Sequence, residues 1–298
     1  MDKLYEAVVA SGPVCVGLDT AVDYIPPTER RRWGDDQAVL AYNQALIDAT
    51  ADVAACFKVQ IAYYEERGLT GLDTYAKTLR AIRKRGSLVI ADIKRGDIAD
   101  TARRYAKAHF EGIFEADFVT LSPYMGMDSI EPWLSYADSN GKGAFVLMRT
   151  SNQGMRDFEY QELKAGGRLY DVVGDRLSAL TPRRLGKYGY GAFGVVVGCT
   201  EGEEAAAIRE KRRNLFFLIP GYGAQGGAAE DAALLLRNGN GGVVNASRSI
   251  LKAWSINGKA PEDADNRYAA EAARKAVIDM RDAIQAAVQA TITTGGAH

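Results

Sequence analysis

The sequence contains little histidine and cysteine, which removes many common catalytic schemes. Only two of the 298 residues are His, at 109 and 298, and only three are Cys, at 15, 56 and 199. A Ser-His-Asp triad would depend on His109, which we expect on the surface of an amphipathic helix. The scattered cysteines fit neither a disulfide framework nor a zinc site, and Cys15 and Cys56 are expected to be buried. Acid–base chemistry must therefore come from Lys, Asp and Glu, and we predict no metal site.

Net charge and long hydrophobic runs are also lacking. Lys and Arg number 37 against 38 Asp and Glu, a net charge of -1, so no nucleic-acid partner is expected. The longest apolar runs are too short to cross a bilayer, and the first residues do not have the pattern of a signal peptide. A hydrophobic content of 47% is too high for a disordered chain. We therefore expect a cytoplasmic globular protein without a membrane partner.

Short apolar runs recur along the whole chain and predict eight buried parallel strands. The runs span residues 14–19, 55–60, 87–93, 117–123, 143–149, 193–198, 215–221 and 241–247. Segments with helical spacing lie between or after them, at 37–54, 73–85, 99–114, 128–139, 159–180, 202–212, 228–238 and 266–290. This alternation is typical of a closed (β/α)8 TIM barrel.

The remaining length predicts an additional N-terminal helix and extended βα loops near residues 20–35 and 150–160. We expect one domain, residues 1–298, because no stretch has the composition of a linker. A doubly wound open sheet is the structural alternative. It is disfavoured because no G-x-G-x-x-G motif follows the first apolar run.

Charged side chains stand at the ends of three successive predicted strands: Asp19, Lys58, Asp92, Lys94 and, in the following turn, Asp97. Active sites of barrels lie at this carboxyl mouth, and buried charges are costly unless they are paired. An alternative is a strand-end salt bridge with Asp97 as the cap of a helix that starts near Ile98. Taken together, the residues predict an alternating array of anions and cations. Carboxylates beside Lys94 would keep it protonated, which favours an enzyme that stabilises and protonates a carbanion over a Schiff-base aldolase.

A second motif predicts a phosphate site. The segment IPGYGAQGG, residues 219–227, follows the seventh run, and Arg248 follows the eighth. Glycines allow backbone N–H groups to turn toward an anion, and barrels frequently bind phosphate at these two loops. Ordinary turns with a surface arginine are the alternative.

The sequence resembles the orotidine 5′-phosphate decarboxylase family, and in its long loops the larger bacterial subgroup. The segment DIKRGDIADT, residues 92–101, matches the family's D-x-K-x-x-D-x-x-x-T spacing, and the glycine-rich loop and late Arg248 follow in order. The resemblance implies cofactor-free conversion of orotidine 5′-monophosphate to uridine 5′-monophosphate and CO2, a step of de novo pyrimidine biosynthesis.

The resemblance also implies a role for each matched residue. Lys94 would be the proton donor to C6, with Asp92, Asp97 and Lys58 as the other catalytic residues. The substrate-binding residues would be Asp19 at the ribose, Ser151 beside Thr150 at the pyrimidine, and Pro220, Gln225 and Arg248 around the phosphate. Asp97 and Thr101 would reach into the partner's site in a homodimer. The chain departs from the family pattern at Ile219, where Thr is usual, and at Ser247, where Gly is frequent.

Two other functions remain open from the sequence. A magnesium-dependent sugar-phosphate decarboxylase or aldolase, such as a 3-keto-gulonate 6-phosphate decarboxylase, would share D-x-K-x-x-D and the phosphate site. It would carry a Glu ligand where this chain has Lys58, and a cation there repels Mg²⁺. A non-catalytic nucleotide-binding barrel would need no charged array at the mouth.

Overall fold

The strands of the chain form a closed parallel barrel, which confirms the predicted (β/α)8 fold. The computed structural model describes residues 1–180, 185–223, 226–258 and 260–295. Within these residues each strand pairs in parallel with the next, and the eighth pairs with the first. The strands are β1 Val14–Gly17, β2 Cys56–Gln60, β3 Leu88–Arg95, β4 Phe118–Leu121, β5 Gly143–Arg149, β6 Phe193–Val197, β7 Phe217–Ile219 and β8 Gly242–Ala246.

Helices surround the barrel. The described α-helices are α1 Asp2–Ser11, α2 Pro27–Trp33, α3 Asp35–Thr50, α4 Ala62–Glu65, α5 Gly68–Lys84, α6 Ala99–Phe110, α7 Leu134–Asn140, α8 Met155–Phe158, α9 Leu169–Leu180, α10 Gly202–Lys211, α11 Ala229–Leu234, α12 Arg248–Leu251 and α13 Asn266–Gly295. None of these helices combines the length and the apolar content needed to span a bilayer.

The amino-terminal end of the barrel is filled by side chains. Ile90, Phe118 and Phe145 are buried in one cluster with Leu4 and Val8 of α1, the predicted N-terminal helix. The rings of Phe118 and Phe145 lie 5.8 Å apart, which leaves no channel between them. The carboxyl ends of the strands are therefore the open end of the barrel.

The segment predicted as a helix over residues 159–180 is helical only in its second half. Helix α9 begins at Leu169, and an antiparallel bridge joins Glu162 to Arg168 just before it. The backbone between them turns back on itself, so its N–H groups bond across the turn instead of along a helix. The prediction for residues 159–168 was wrong because helical spacing alone does not reveal this turn.

The long loop predicted over residues 20–35 also contains regular structure. A short 3₁₀ helix spans Val22–Tyr24, and α2 follows at Pro27–Trp33. Pro27 suits the first turn of a helix, because the N–H that proline lacks would have no partner there. The long connection between β1 and α3 is therefore present as predicted, and part of it is helical.

His109 is buried instead of lying on the surface of its helix. Its side chain is 3% exposed and stacks on Phe114, with ring centroids 6.1 Å apart. Burial lowers the pKa of His109 to about 4, so the ring is neutral near pH 7. The predicted surface position was wrong. Cys15 and Cys56 are buried on neighbouring strands, as expected.

Candidate active site

A cavity of about 370 Å³ opens at the carboxyl ends of the strands. A volume of this size fits a small organic ligand. Most of the residues singled out from the sequence contribute to its wall: Asp19, Lys58, Asp92, Lys94, Thr150, Ser151, Pro220 and Arg248. Gln225 lies outside the described residues, and Asp97 and Thr101 are not part of the wall formed by their own chain.

Four charged side chains form a continuous row across the cavity floor. Lys58 Nζ lies 2.9 Å from Asp19 Oδ1 and 3.0 Å from Asp92 Oδ2. Lys94 Nζ lies 2.7 Å from Asp92 Oδ1. Anions and cations therefore alternate from β1 to β3, the arrangement that the sequence predicts.

The two central members of the row are both charged although both are buried. Burial alone would lower the pKa of Lys58, but Asp19 and Asp92 hold that pKa above its ordinary value. Burial alone would raise the pKa of Asp92, but Lys58 and Lys94 hold it well below its ordinary value. Each buried charge is thus stabilised by the opposite charges beside it.

Lys94 differs from Lys58 in exposure and in backbone conformation. Its side chain is 46% exposed, whereas that of Lys58 is 6% exposed, so the Lys94 ammonium is open to a ligand in the cavity. The φ angle of Lys94 is 46°, in the left-handed region that residues with a Cβ rarely adopt. Strain of this kind persists only where the surrounding structure enforces it.

Asp97 and Thr101 lie past the end of β3, just before and on the first turn of α6. Asp97 is half-buried, and its Oδ1 accepts the N–H of Ile98 at 2.8 Å. Ile98 itself is the N-cap of α6, so Asp97 does not cap this helix. Thr101 is exposed on the first turn of α6.

The β8 end of the cavity holds Asp19 through Ser247. Ser247 Oγ donates a hydrogen bond to Asp19 Oδ2 at 2.8 Å, while Asp19 Oδ1 accepts one from Lys58. Gly17 of β1 leaves the space that Ser247 occupies, since a methyl group on Gly17 would lie 2.0 Å from Ser247 Oγ. The departure from the family pattern at Ser247 is therefore matched by a glycine on the neighbouring strand.

The close packing of Ser247 on Gly17 predicts that Gly17→Ala destabilises the chain. The added methyl group must displace Ser247 from Asp19, and we expect overpacking to cost about 1–3 kcal/mol of unfolding free energy. In the double variant Gly17→Ala/Ser247→Gly most of this loss should disappear, because the clashing side chain is gone. Urea denaturation of both single variants and the double variant gives the coupling energy. If the double variant loses as much unfolding free energy as the two single variants together, Gly17 and Ser247 are not coupled.

The loop after β5 is held by Glu159. Its carboxylate accepts the backbone N–H of Thr150 at 2.7 Å and the Thr150 hydroxyl at 2.8 Å. Ser151 follows on the cavity wall and packs so closely on Gly198 that a methyl group there would lie 2.7 Å from Ser151 Cβ. Ser151 is thus fixed from two sides at the rim of the cavity.

The loop after β7 and the residue after β8 form the opposite rim. Gly221 has a φ of 103°, and its carbonyl accepts the N–H of Gly227 at 3.1 Å, which closes the loop on itself. Arg248 is exposed beside this loop, and it forms no ion pair with any carboxylate of the described residues. Its guanidinium is therefore available to an anion.

Several cavity residues were not predicted from the sequence: Tyr24, Gln60, Tyr63, Thr120, Asn152, Tyr222, Asn245 and Ser247. Gln60 could have been found, because it lies two residues after Lys58 on β2 and therefore faces the same side. Its Nε2 donates to Asp92 Oδ2 at 3.1 Å. Thr120 lies on an apolar strand, where nothing in the sequence distinguishes it from an ordinary buried threonine.

A TIM barrel with paired Asp and Lys side chains at its carboxyl mouth has the architecture of a barrel enzyme, since active sites of this fold lie there. The chain belongs to the orotidine 5′-phosphate decarboxylase / HUMPS family, whose model matches residues 12–260. The predicted family and the predicted carboxy-lyase class are thereby confirmed.

Individual relatives agree with the family model. An orotidine 5′-phosphate decarboxylase from Clostridium perfringens is 57% identical over 288 residues, 96% of this chain and 98% of the relative. One from Clostridium tetani is 51% identical over 289 residues, 97% of this chain and 98% of the relative. The solved OMP decarboxylase of Leishmania donovani is 32% identical and superposes with a TM-score of 0.72, covering 95% of this chain and 98% of that one.

Proposed function

We propose that the chain converts orotidine 5′-monophosphate to uridine 5′-monophosphate and CO2 without a cofactor, through a carbanion at C6 that Lys94 stabilises and protonates. The observation that carries the proposal is the Lys94 ammonium, which is open to the cavity and is held at 2.7 Å by the buried Asp92. The family and the names of the relatives support the same reaction.

In this reaction the bond between C6 and its carboxylate breaks, the electron pair stays on C6, and CO2 leaves. The carbanion lies in the plane of the ring, so the π system of the pyrimidine does not delocalise it. The Lys94 ammonium supplies a fixed positive charge beside C6 and then gives C6 a proton, which the amine regains from solvent. Because Asp92 already orients the ammonium, little reorganisation is needed as negative charge develops.

The remaining residues of the site are assigned to parts of the substrate. Asp19 and Lys58, which bind each other at 2.9 Å, are placed at the ribose hydroxyls. Ser151 is placed at the pyrimidine edge. The phosphate is assigned to residues of the loops after β7 and β8: Pro220, Gln225 and Arg248. Binding of this remote phosphate would supply energy to close the loop over the reacting ring.

A homodimer completes the proposed site. Asp97 and Thr101 are absent from the cavity wall of their own chain, where Asp97 is half-buried and Thr101 is exposed. Exposed apolar side chains follow the ends of the neighbouring strands β3 and β4, with Ile98 41%, Tyr124 83% and Met125 48% exposed. A two-fold axis through this surface would bring Asp97 and Thr101 of each chain to the site of the other.

A magnesium-dependent sugar-phosphate enzyme is disfavoured by the contacts of Lys58. This ammonium binds both Asp19 and Asp92, so the carboxylates that would attract a divalent cation already have a cationic partner. Among the described residues, no group of three or more His, Cys, Asp or Glu side chains is arranged to hold a metal ion.

The proposed reaction is tested by adding orotidine 5′-monophosphate to chelator-treated protein and following the pyrimidine absorbance. We expect turnover without added metal. Turnover that requires Mg²⁺ would favour the sugar-phosphate class of mechanism, and a folded dimer without turnover would overturn the assignment.

A single barrel domain in the cytoplasm completes the proposal. The cytoplasmic location is supported by three buried free cysteines, which are typical of reducing compartments.

Arg248→Ala tests the phosphate assignment. We expect the variant to raise KM for orotidine 5′-monophosphate by about 10- to 150-fold, since losing a charge-assisted hydrogen bond costs about 1.5–3 kcal/mol. Decarboxylation of orotidine, which lacks the phosphate, should be unaffected. Steady-state kinetics with both substrates distinguish these effects.

The matched control is Arg267→Ala, which removes an exposed arginine of α13 that pairs with Glu271. It should leave both reactions unchanged. If Arg248→Ala impairs orotidine as much as the nucleotide, Arg248 has a role other than phosphate binding.

A further inference from the structure

The hydroxyl of Thr120 contacts two neighbouring members of the charged row, Asp92 and Lys94. Thr120 lies on β4 and is 1% exposed. Its Oγ1 accepts the backbone N–H groups of Ile93 at 3.0 Å and Lys94 at 2.9 Å, and donates to Asp92 Oδ1 at 2.8 Å. One side chain therefore binds three consecutive residues of β3.

An irregularity between β3 and β4 makes this arrangement possible. Ala91 pairs with Val119, and the next pair is Arg95 with Leu121. Three residues of β3 thus lie opposite Thr120 alone, and the ladder supplies no backbone acceptor for two of their N–H groups. The Thr120 hydroxyl takes the place of those acceptors, at the point where Lys94 has its left-handed φ of 46°.

The hydrogen-bonding capacity of a hydroxyl then fixes the direction of each bond. A threonine hydroxyl has two acceptor lone pairs and one proton. The N–H groups of Ile93 and Lys94 occupy both lone pairs, so the proton is directed to Asp92. Oδ1 of Asp92 also accepts from Lys94 Nζ, and Oδ2 accepts from Lys58 and Gln60.

We propose that Thr120 is a positioning residue for the decarboxylation, fixing both the direction of the Asp92 carboxylate and the backbone of Lys94, and so the place of the ammonium in the cavity. The proposal rests on the function proposed above. Thr120 is not expected to touch the substrate's reacting atoms; it acts through Asp92 and Lys94.

Thr120→Val tests the role, because it keeps the shape of the side chain and removes the hydroxyl. We expect kcat to fall by about 100-fold, as a small misplacement of a catalytic group can cost this much, with KM near that of the unaltered chain. Thr120→Ser restores the hydroxyl and should recover most of kcat. Thr50→Val is the matched control: Thr50 is also buried, but its hydroxyl donates to the Leu46 carbonyl within α3, and kcat should not change.

If Thr120→Val does not fold, Thr120→Cys replaces it, since a thiol is a weaker donor and acceptor of similar size. We expect a reduced kcat with unchanged KM for this variant as well. Full kcat in a folded Val or Cys variant would overturn the role of Thr120 alone. A folded unaltered chain without turnover would overturn the proposed function, and the role of Thr120 with it.

Discussion

We expect Lys94→Ala to abolish turnover while the chain remains folded and still binds a ligand that carries phosphate. The variant removes both the fixed charge beside C6 and the proton that C6 receives. Losing one preorganised hydrogen-bond donor from a transition state typically costs about 10²–10³ in rate, so losing charge and proton together should exceed about 10³-fold.

The fold should survive because Asp92 keeps its other partners. Lys58, Gln60 and Thr120 all still donate to its carboxylate, so no buried charge is left unpaired. Alanine also meets the same backbone restriction as lysine at a φ of 46°. Thermal unfolding and the binding of uridine 5′-monophosphate check these two points independently of activity.

The control for this variant is Lys275→Ala. Lys275 is an exposed lysine of α13 whose ammonium pairs with Asp279, and it is not part of the cavity wall. This variant therefore also removes an ion-paired ammonium, but away from the proposed site. Its turnover should equal that of the unaltered chain. A Lys94→Ala variant that keeps near-native turnover would show that another group protonates C6.

The fold could be predicted because the buried strands appear as continuous apolar runs and most helices as segments with helical spacing. The apolar runs place all eight strands, and residues 143–149 match β5 at both ends. The errors occurred where the structure depends on particular contacts that the spacing of apolar residues does not record. Helical spacing could not reveal the bridge from Glu162 to Arg168, nor the burial of His109 against Phe114.

The charged residues of the site could be predicted from the sequence, whereas its uncharged residues mostly could not. Asp19, Lys58, Asp92 and Lys94 stand out because charges at the ends of buried strands need partners. Thr120 could not be recognised, since its role depends on the irregular register between β3 and β4. Asp97 was singled out from the sequence, but one chain does not contain the atoms that its proposed role requires.

Mixing inactive chains tests the place of Asp97. In a dimer with shared sites, Lys94→Ala and Asp97→Ala homodimers should each be inactive, or nearly so. A mixed dimer has one wholly native site, which combines Lys94 of one chain with Asp97 of the other, and one site with both changes. Random reassortment makes about half of the dimers mixed, so about a quarter of native activity should return.

The structure provides a matched control in Asp92→Asn. Asp92 and Lys94 contact each other within one chain at 2.7 Å, so a mixture of Lys94→Ala with Asp92→Asn leaves every site with one of the two changes. That mixture should stay inactive under the conditions in which the first mixture recovers. Dimer exchange is confirmed separately, with chains of different mass.

The outcomes for Asp97 separate three roles. Recovery of about a quarter of the activity requires that Asp97 serve the opposite chain, because only then does a native site form. If Asp97 instead serves its own chain, every site keeps a change and mixing restores nothing. If Asp97 only supports the start of α6 through its bond to the Ile98 N–H, the Asp97→Ala homodimer itself stays active and loses about 0.5–1.5 kcal/mol of stability, the usual cost of one hydrogen bond. Because Asp97 is absent from the cavity of its own chain, we expect the first outcome.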